Sequence, residues 1–330
     1  MNLETTYLGL KLRNPLVVGA SPLCDNVSTC LKLQEAGAAA IVMRSLFEEQ
    51  IGLEQKGLLN AVELPAESNP EAASYFPAYE DYQLTPDQYL RQIGLLKQAL
   101  HIPIIASLNG SGAGGWTGYA RRCEEAGADA IELNLYELVT DGKVSAEQTE
   151  AGMIATVRRV VEAVKIPVAV KISAFHTSPA HFALALEQAG AAGVVIMNRF
   201  YQPNLDIEEL EVKSQLTLSD PSELLLRLRW LAILSPQLQK SLAVTGGVHS
   251  SDDVVKSLLA GADAVQVVST LLANGPEQMA ELVGGLVQWM AAHEYQSVAE
   301  FRGAMDLSHC PDPSAFERAN YMKVLQSWKV

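Results

Sequence analysis

The run G-A-D-A-I-E-L-N-L-Y-E at residues 127–137 decides how this chain is read. Gly127 can adopt the left-handed conformation that stops a helix, and Ala130, Ile131 and Leu133 suit a strand buried on both faces. Asn134, Tyr136 and Glu137 gather where that strand ends. The same phrase returns as E-A-G-A-A-A-I at 35–41, Q-A-G-A-A-G-V at 188–194 and L-A-G-A-D-A-V at 259–265. Four copies of helix, glycine stop and buried strand imply a repeated αβ unit.

Working outward, further buried strands read at 14–22, 102–107, 168–172 and 242–247, which with those at 38–42, 130–135, 194–197 and 264–268 make eight. Each is followed by a helical or irregular crossover. That rhythm predicts an α/β fold, a (β/α)8 TIM barrel whose chemistry sits at the C-terminal ends of its strands. One domain over 1–330 accounts for the whole length, with an N-terminal hairpin around Gly9 closing the barrel floor and C-terminal helices packed outside. Two stretches break the rhythm and are expected to form lid-like insertions: about 47–86, with Tyr75, Phe76, Tyr79 and Tyr82, and 199–220, where L-E-V-K and L-T-L suggest a small hairpin.

Composition narrows the function. A net charge of −14 argues against a nucleic-acid partner, because binding a phosphate backbone needs clustered cations. Cys24, Cys30, Cys123 and Cys310 form no C-x-x-C pair, and the six histidines show no ligand spacing, so reduced thiols and no metal are expected. The first residues lack a secretory pattern, and no apolar run is long enough to cross a bilayer. A cytoplasmic protein acting on a small molecule is the expectation.

The strand ends carry the chemistry. V-T-G-G-V at 244–248 follows the seventh strand and V-V-S-T at 267–270 follows the eighth, so Gly246, Gly247, Ser269 and Thr270 read as a phosphate pocket. Taken alone, the glycines could be a tight turn and Ser269 a helix cap. Lys171 ends an otherwise apolar strand, and burying it calls for an anionic partner: the N1/O2 edge of a flavin, or a wall carboxylate such as Glu132. Asn109, Asn134 and Asn198 end three further strands and together could read the amide edge of a planar heterocycle. Small residues at Ala20 and Ser21 let a flat ligand approach the first strand. Strand two delivers Arg44 and Ser45 to the same rim, Arg44 facing a ligand or forming a surface salt bridge. Tyr136 or Glu137 could move a proton, or Glu137 could be a solvated loop residue.

With these residues assembled, the chain resembles the dihydroorotate dehydrogenase family. The likeness runs through L-G-L-K-L-R-N-P-L at 8–16, A-S at 20–21, E-L-N-L at 132–135, V-K at 170–171, Asn198, T-G-G-V at 245–248, G-A-D-A-V-Q at 261–266 and E-F-R-G at 300–303. It implies FMN, with its phosphate on Gly246, Gly247 and Ser269 and its ring near Ala20, Ser21, Asn134, Lys171 and Asn198. A homodimer is also implied. Soluble members carry N-L-S-C-P-N after the fourth strand, the cysteine removing a proton from dihydroorotate as hydride passes to the flavin. Here Asn134-Leu135-Tyr136-Glu137-Leu138-Val139 stands instead: Glu137 replaces that cysteine, Val139 the second asparagine, and Arg44 a family lysine.

The resemblance therefore implies an FMN oxidoreductase of pyrimidine biosynthesis in which Glu137 or Tyr136 serves as the base. Other readings stay open: an FMN oxidoreductase with a different substrate, a non-redox barrel binding FMN or a phosphorylated metabolite, and an aldolase or isomerase using Lys171 as a Schiff base.

Overall fold

The computed structural model describes residues 1–48, 50, 85–110, 116–199, 201–213 and 216–327. Most of the lid expected over about 47–86, including its four aromatics, lies outside the described residues, as does nearly all of the turn at 111–116.

Eight strands close a parallel barrel in the order β3 (Leu16–Val18), β4 (Ala40–Phe47), β5 (Ile104–Gly110), β6 (Ala130–Leu135), β7 (Val168–Ile172), β8 (Gly193–Ile196), β11 (Ser241–Thr245) and β12 (Ala264–Val267). The (β/α)8 expectation is met. Every residue of β6 is buried, as a strand covered by helices outside and packed side chains inside must be. The glycines of the repeated phrase, Gly37, Gly127, Gly190 and Gly261, all take φ between 101° and 116°, where a Cβ is strained.

The wall is dressed by α1 (Val27–Glu35), α2 (Pro86–Ala99), α3 (Trp116–Glu125), α4 (Ala146–Ala163), α5 (Pro179–Gln188), α6 (Leu224–Leu234), α7 (Ser251–Leu259), the short α8 (Ser269–Asn274) and α9 (Gln278–Ala292). Thr85, Ser145 and Ser250 open α2, α4 and α7 with capping boxes. Below the barrel, β1 (Thr5–Tyr7) and β2 (Leu10–Leu12) form the expected hairpin, with Leu8 and Gly9 both at positive φ. Tyr7, Leu8 and Leu12 plug the floor against the small interior side chains Ala130, Ala169, Ala243 and Ala264.

Two details differ from the sequence reading. The hairpin within 199–220 pairs β9 (Asn204–Asp206) with β10 (Glu211–Lys213), so the partner strand is N-L-D and not L-T-L. The reading also passed over α9, which packs on α7, because its apolar positions run on without a strand signal after them. Beyond it the tail ends in α10 (Ala319–Ser327).

Candidate functional site

Going up the barrel, the interior changes character between one layer and the next. Ala130, Ala169 and Ala264 belong to the apolar floor. Two residues further along the same strands stand Glu132, Lys171 and Gln266, all buried. Strand periodicity of two puts them on the inner face above the alanines. Lys171 Nζ lies 2.7 Å from Glu132 Oε1, and Gln266 Nε2 donates to Glu132 Oε2 at 2.5 Å. Of the two partners left open for Lys171, the wall carboxylate is therefore present.

Above this layer an open-mouthed cleft lies between the ends of β3, β7, β8, β11 and β12. It brings together seven of the residues read from the sequence. Ala20, Ser21, Lys171, Asn198, Gly246, Gly247 and Ser269 all line it. Asn134 does not line it directly but accepts a hydrogen bond from Asn198 Nδ2 at 2.5 Å. Ser21 is 6% exposed and its hydroxyl has no hydrogen-bond partner, as a buried donor does when its partner is a ligand.

The glycine end is built by close approach. Gly247 has φ +79°, and a Cβ there would fall 2.4 Å from the backbone nitrogen of Leu224, at the start of α6. The buried Arg227 braces the turn from α6, donating from Nε to the carbonyl of Thr245 at 2.5 Å and from Nη1 to the carbonyl of Glu223 at 2.6 Å. Ser219, which the sequence reading missed, ties the two loops together. Its hydroxyl accepts from the Gly247 amide at 3.2 Å and donates to Ser269 Oγ at 2.8 Å. An amide and two hydroxyls thus converge where a phosphate dianion could replace their mutual contacts.

The remaining candidates stand elsewhere on the rim. A register shift between Val42 and Ser45 turns Ser45 toward Ser107, with 2.8 Å between their hydroxyls. Arg44 makes a salt bridge with Asp25 at 2.7 Å, and neither Arg44 nor Ser45 lines the cleft. Asn109 faces a separate recess with Leu46, Glu48 and Trp116. Thr270 is enclosed in α8, its hydroxyl accepting from Asn274 at 3.0 Å. Tyr136 and Glu137 follow β6 half-buried, outside the cleft wall. Burial, and after it the neighbouring Tyr201, raises the Tyr136 phenol above its ordinary pKa, so the neutral, proton-donating form is favoured. Tyr201 itself lines the cleft, with the Arg199 guanidinium 5.4 Å above its ring and paired with Glu223. Gln266 was also missed, although a glutamine inside A-V-Q-V-V carries the same signal as the lysine of V-A-V-K-I.

The family model described as "Dihydroorotate dehydrogenase" matches residues 2–290. The chain belongs to the dihydroorotate dehydrogenase family. That places it among oxidoreductases acting on CH–CH bonds. Family relatives include the "Dihydroorotate dehydrogenase B (NAD(+)), catalytic subunit" of Thermoplasma volcanium, 28% identical over 314 residues that cover 92% of this chain and 98% of the relative. The protein of the same name from Thermoplasma acidophilum is 26% identical with the same coverage. A third, from Methanothermobacter thermautotrophicus, is 26% identical over 91% of this chain and 97% of its own. Among the described residues no helix is long and apolar enough to cross a membrane, and no cluster of His, Cys, Asp or Glu could hold a metal ion.

Proposed function

We propose that this chain is an FMN-dependent dihydroorotate dehydrogenase, oxidising dihydroorotate to orotate in pyrimidine biosynthesis. The observation that carries the reading is the orphaned, buried Ser21 hydroxyl in the same cleft as the Gly247, Ser219 and Ser269 donors. FMN fits these residues: its phosphate on Gly246, Gly247, Ser219 and Ser269, its ring between Ala20, Ser21, Lys171 and Asn198. When bound, the flavin supplies an acceptor for the hydride that leaves the substrate. The chain's own task is to hold that ring, exclude water and take the accompanying proton. Glu137 is proposed as the base, since a carboxylate is competent where the family has a thiol, and the raised pKa of Tyr136 leaves it as a proton donor. Arg44 is proposed to help hold an anionic substrate from the rim.

A second reading is favoured by the substrate side of the rim. Glu137 and Val139 stand in place of the family's Cys and Asn, and Arg199 and Tyr201 line the cleft, so a substrate other than dihydroorotate suits the same flavin. In either case, electrons would leave through a partner subunit, as the relatives' name "catalytic subunit" suggests. A cytoplasmic homodimer is proposed alongside, to be checked by sedimentation.

The purified protein is expected to be yellow, absorbing near roughly 450 nm, and to bleach when dihydroorotate is added without oxygen. Glu137→Gln should slow that bleaching by about 10²–10⁴-fold, the usual contribution of a positioned base, and Tyr136→Phe by much less. A yellow protein that does not bleach would move the reading to another substrate. A colourless protein with no affinity for FMN would refute the flavoenzyme.

A further inference from the structure

A polar column runs through the barrel interior from the floor to the cleft. Tyr7, on the floor hairpin, is fully buried, and its hydroxyl, like Gln266 Oε1, has no hydrogen-bond partner. Gln266 donates to Glu132 Oε2, and Glu132 Oε1 holds the Lys171 ammonium, which reaches the cleft. Both carboxylate oxygens are thus engaged, and Glu132 is 0% exposed. Nothing in the proposed reaction uses this carboxylate directly. Its place is explained by what it does to Lys171.

We propose that Glu132 is a positioning residue that keeps Lys171 a fixed ammonium turned toward the cleft before any ligand enters, so that reduction of the cofactor there takes up one proton and not two. The inference rests on the FMN reading given above.

The argument is one of charge. A lysine as enclosed as Lys171, 6% exposed, loses its proton readily unless a counter-ion stays beside it. With Glu132 in place the pair is neutral overall, and the ammonium is set against the ring edge that becomes negative on reduction. Two electrons and one proton then complete the step. Without the carboxylate, Lys171 would be neutral beside the oxidised ring and would gain a proton when the ring turned anionic, so that two electrons would bring two protons.

Burial first, and Glu132 as a smaller cause, act on the phenols of Tyr7, from the floor, and Tyr89, on α2 outside the wall, while among the described residues Arg199 and Tyr201 are the other ionisable ones lining the cleft that Lys171 reaches. The Tyr7 and Tyr89 phenols are held well above the ordinary tyrosine range, so neither titrates where the test is made.

The test is the pH dependence of the flavin midpoint potential, with FMN affinity measured by fluorescence titration beside it. Each proton taken up changes the two-electron equilibrium tenfold per pH unit, about 30 mV. The wild type should follow the one-proton slope between about pH 7.5 and 9.5, where the lysine of model peptides is still charged. Glu132→Gln should follow the two-proton slope, and the double variant Glu132→Gln/Lys171→Met should return to one. Equal slopes in the wild type and E132Q, with both binding FMN, would overturn the inference and leave the flavin reading intact. A wild type that already takes two protons would overturn it even if no variant folds. No FMN binding by the wild type would defeat the underlying reading itself.

Discussion

Gly247 shows how a single residue sets the phosphate end of the cleft. Its positive φ and the 2.4 Å approach that a Cβ would make to the Leu224 nitrogen leave no room for a side chain. Gly247→Ala should cost about 1–3 kcal/mol in backbone strain alone, and it should weaken FMN binding tenfold or more by displacing the start of α6. Thermal melting and fluorescence titration would show both. Gly118 is the control. It lies in α3 with nothing within 4 Å of where a methyl would stand, so Gly118→Ala should instead stabilise by about 0.5–1 kcal/mol. At this scale the sequence was legible where a residue type conflicts with its surroundings: a lysine in an apolar strand, paired glycines after one. It was illegible for Ser219, whose importance comes from a fold-back that no local pattern announces. Arg44 and Ser45 were assigned to the rim together, but a register shift within β4 parts them.

Elements were easier to read than the contacts between them. All eight barrel strands could be placed, four of them from the repeated glycine stop, and the floor hairpin from the alternation around Gly9. The rim hairpin was placed but its pairing was not, since three-residue strands carry too little alternation to fix a register. Its side chains explain why. Leu205, Ile207, Leu210 and Val212 are between 66% and 88% exposed, so no buried face selects the register. Replacing 204–213 with a short Gly-Ser link should therefore change the melting temperature by no more than about 2 °C, the shift that a loss under 1 kcal/mol produces in a chain this large. A larger fall in a thermal melt would mean that the hairpin packs against the barrel. The neighbouring residues 216–219 are a different matter, because Ser219 belongs to the phosphate end.

For the molecule as a whole, the barrel is fastened by the tail, and the fastening is acid-sensitive. Gly303, Met305 and Leu307 donate backbone hydrogen bonds to the carbonyls of Leu258, Leu259 and Ala232, lacing the tail onto α7 and α6. Asp306 is the knot, accepting from the backbone of Ser308 and His309 and from the hydroxyls of Ser308 and Ser235. Burial acts to raise its pKa, but the hydrogen bonds prevail and the native value is lowered. A lowered native pKa means stability that is present above the unfolded value, about 4, and lost as the pH falls through the native one. Asp263, at the foot of β12, has the opposite sign: burial raises it, with Arg302 opposing, so its contribution grows as the pH falls. The two can be separated by one substitution. Asp306→Asn should lower stability at pH 7 by about 1–2 kcal/mol, the cost of weakening buried hydrogen bonds to a charge. The gap from the wild type should begin to narrow below about pH 4, where the unfolded chain takes up its proton, and should close only once the pH has fallen through the lower native value. Parallel thermal melts at neutral and acid pH decide it, and a gap that stays constant with pH would show that Asp306 stabilises the tail by shape and not by charge.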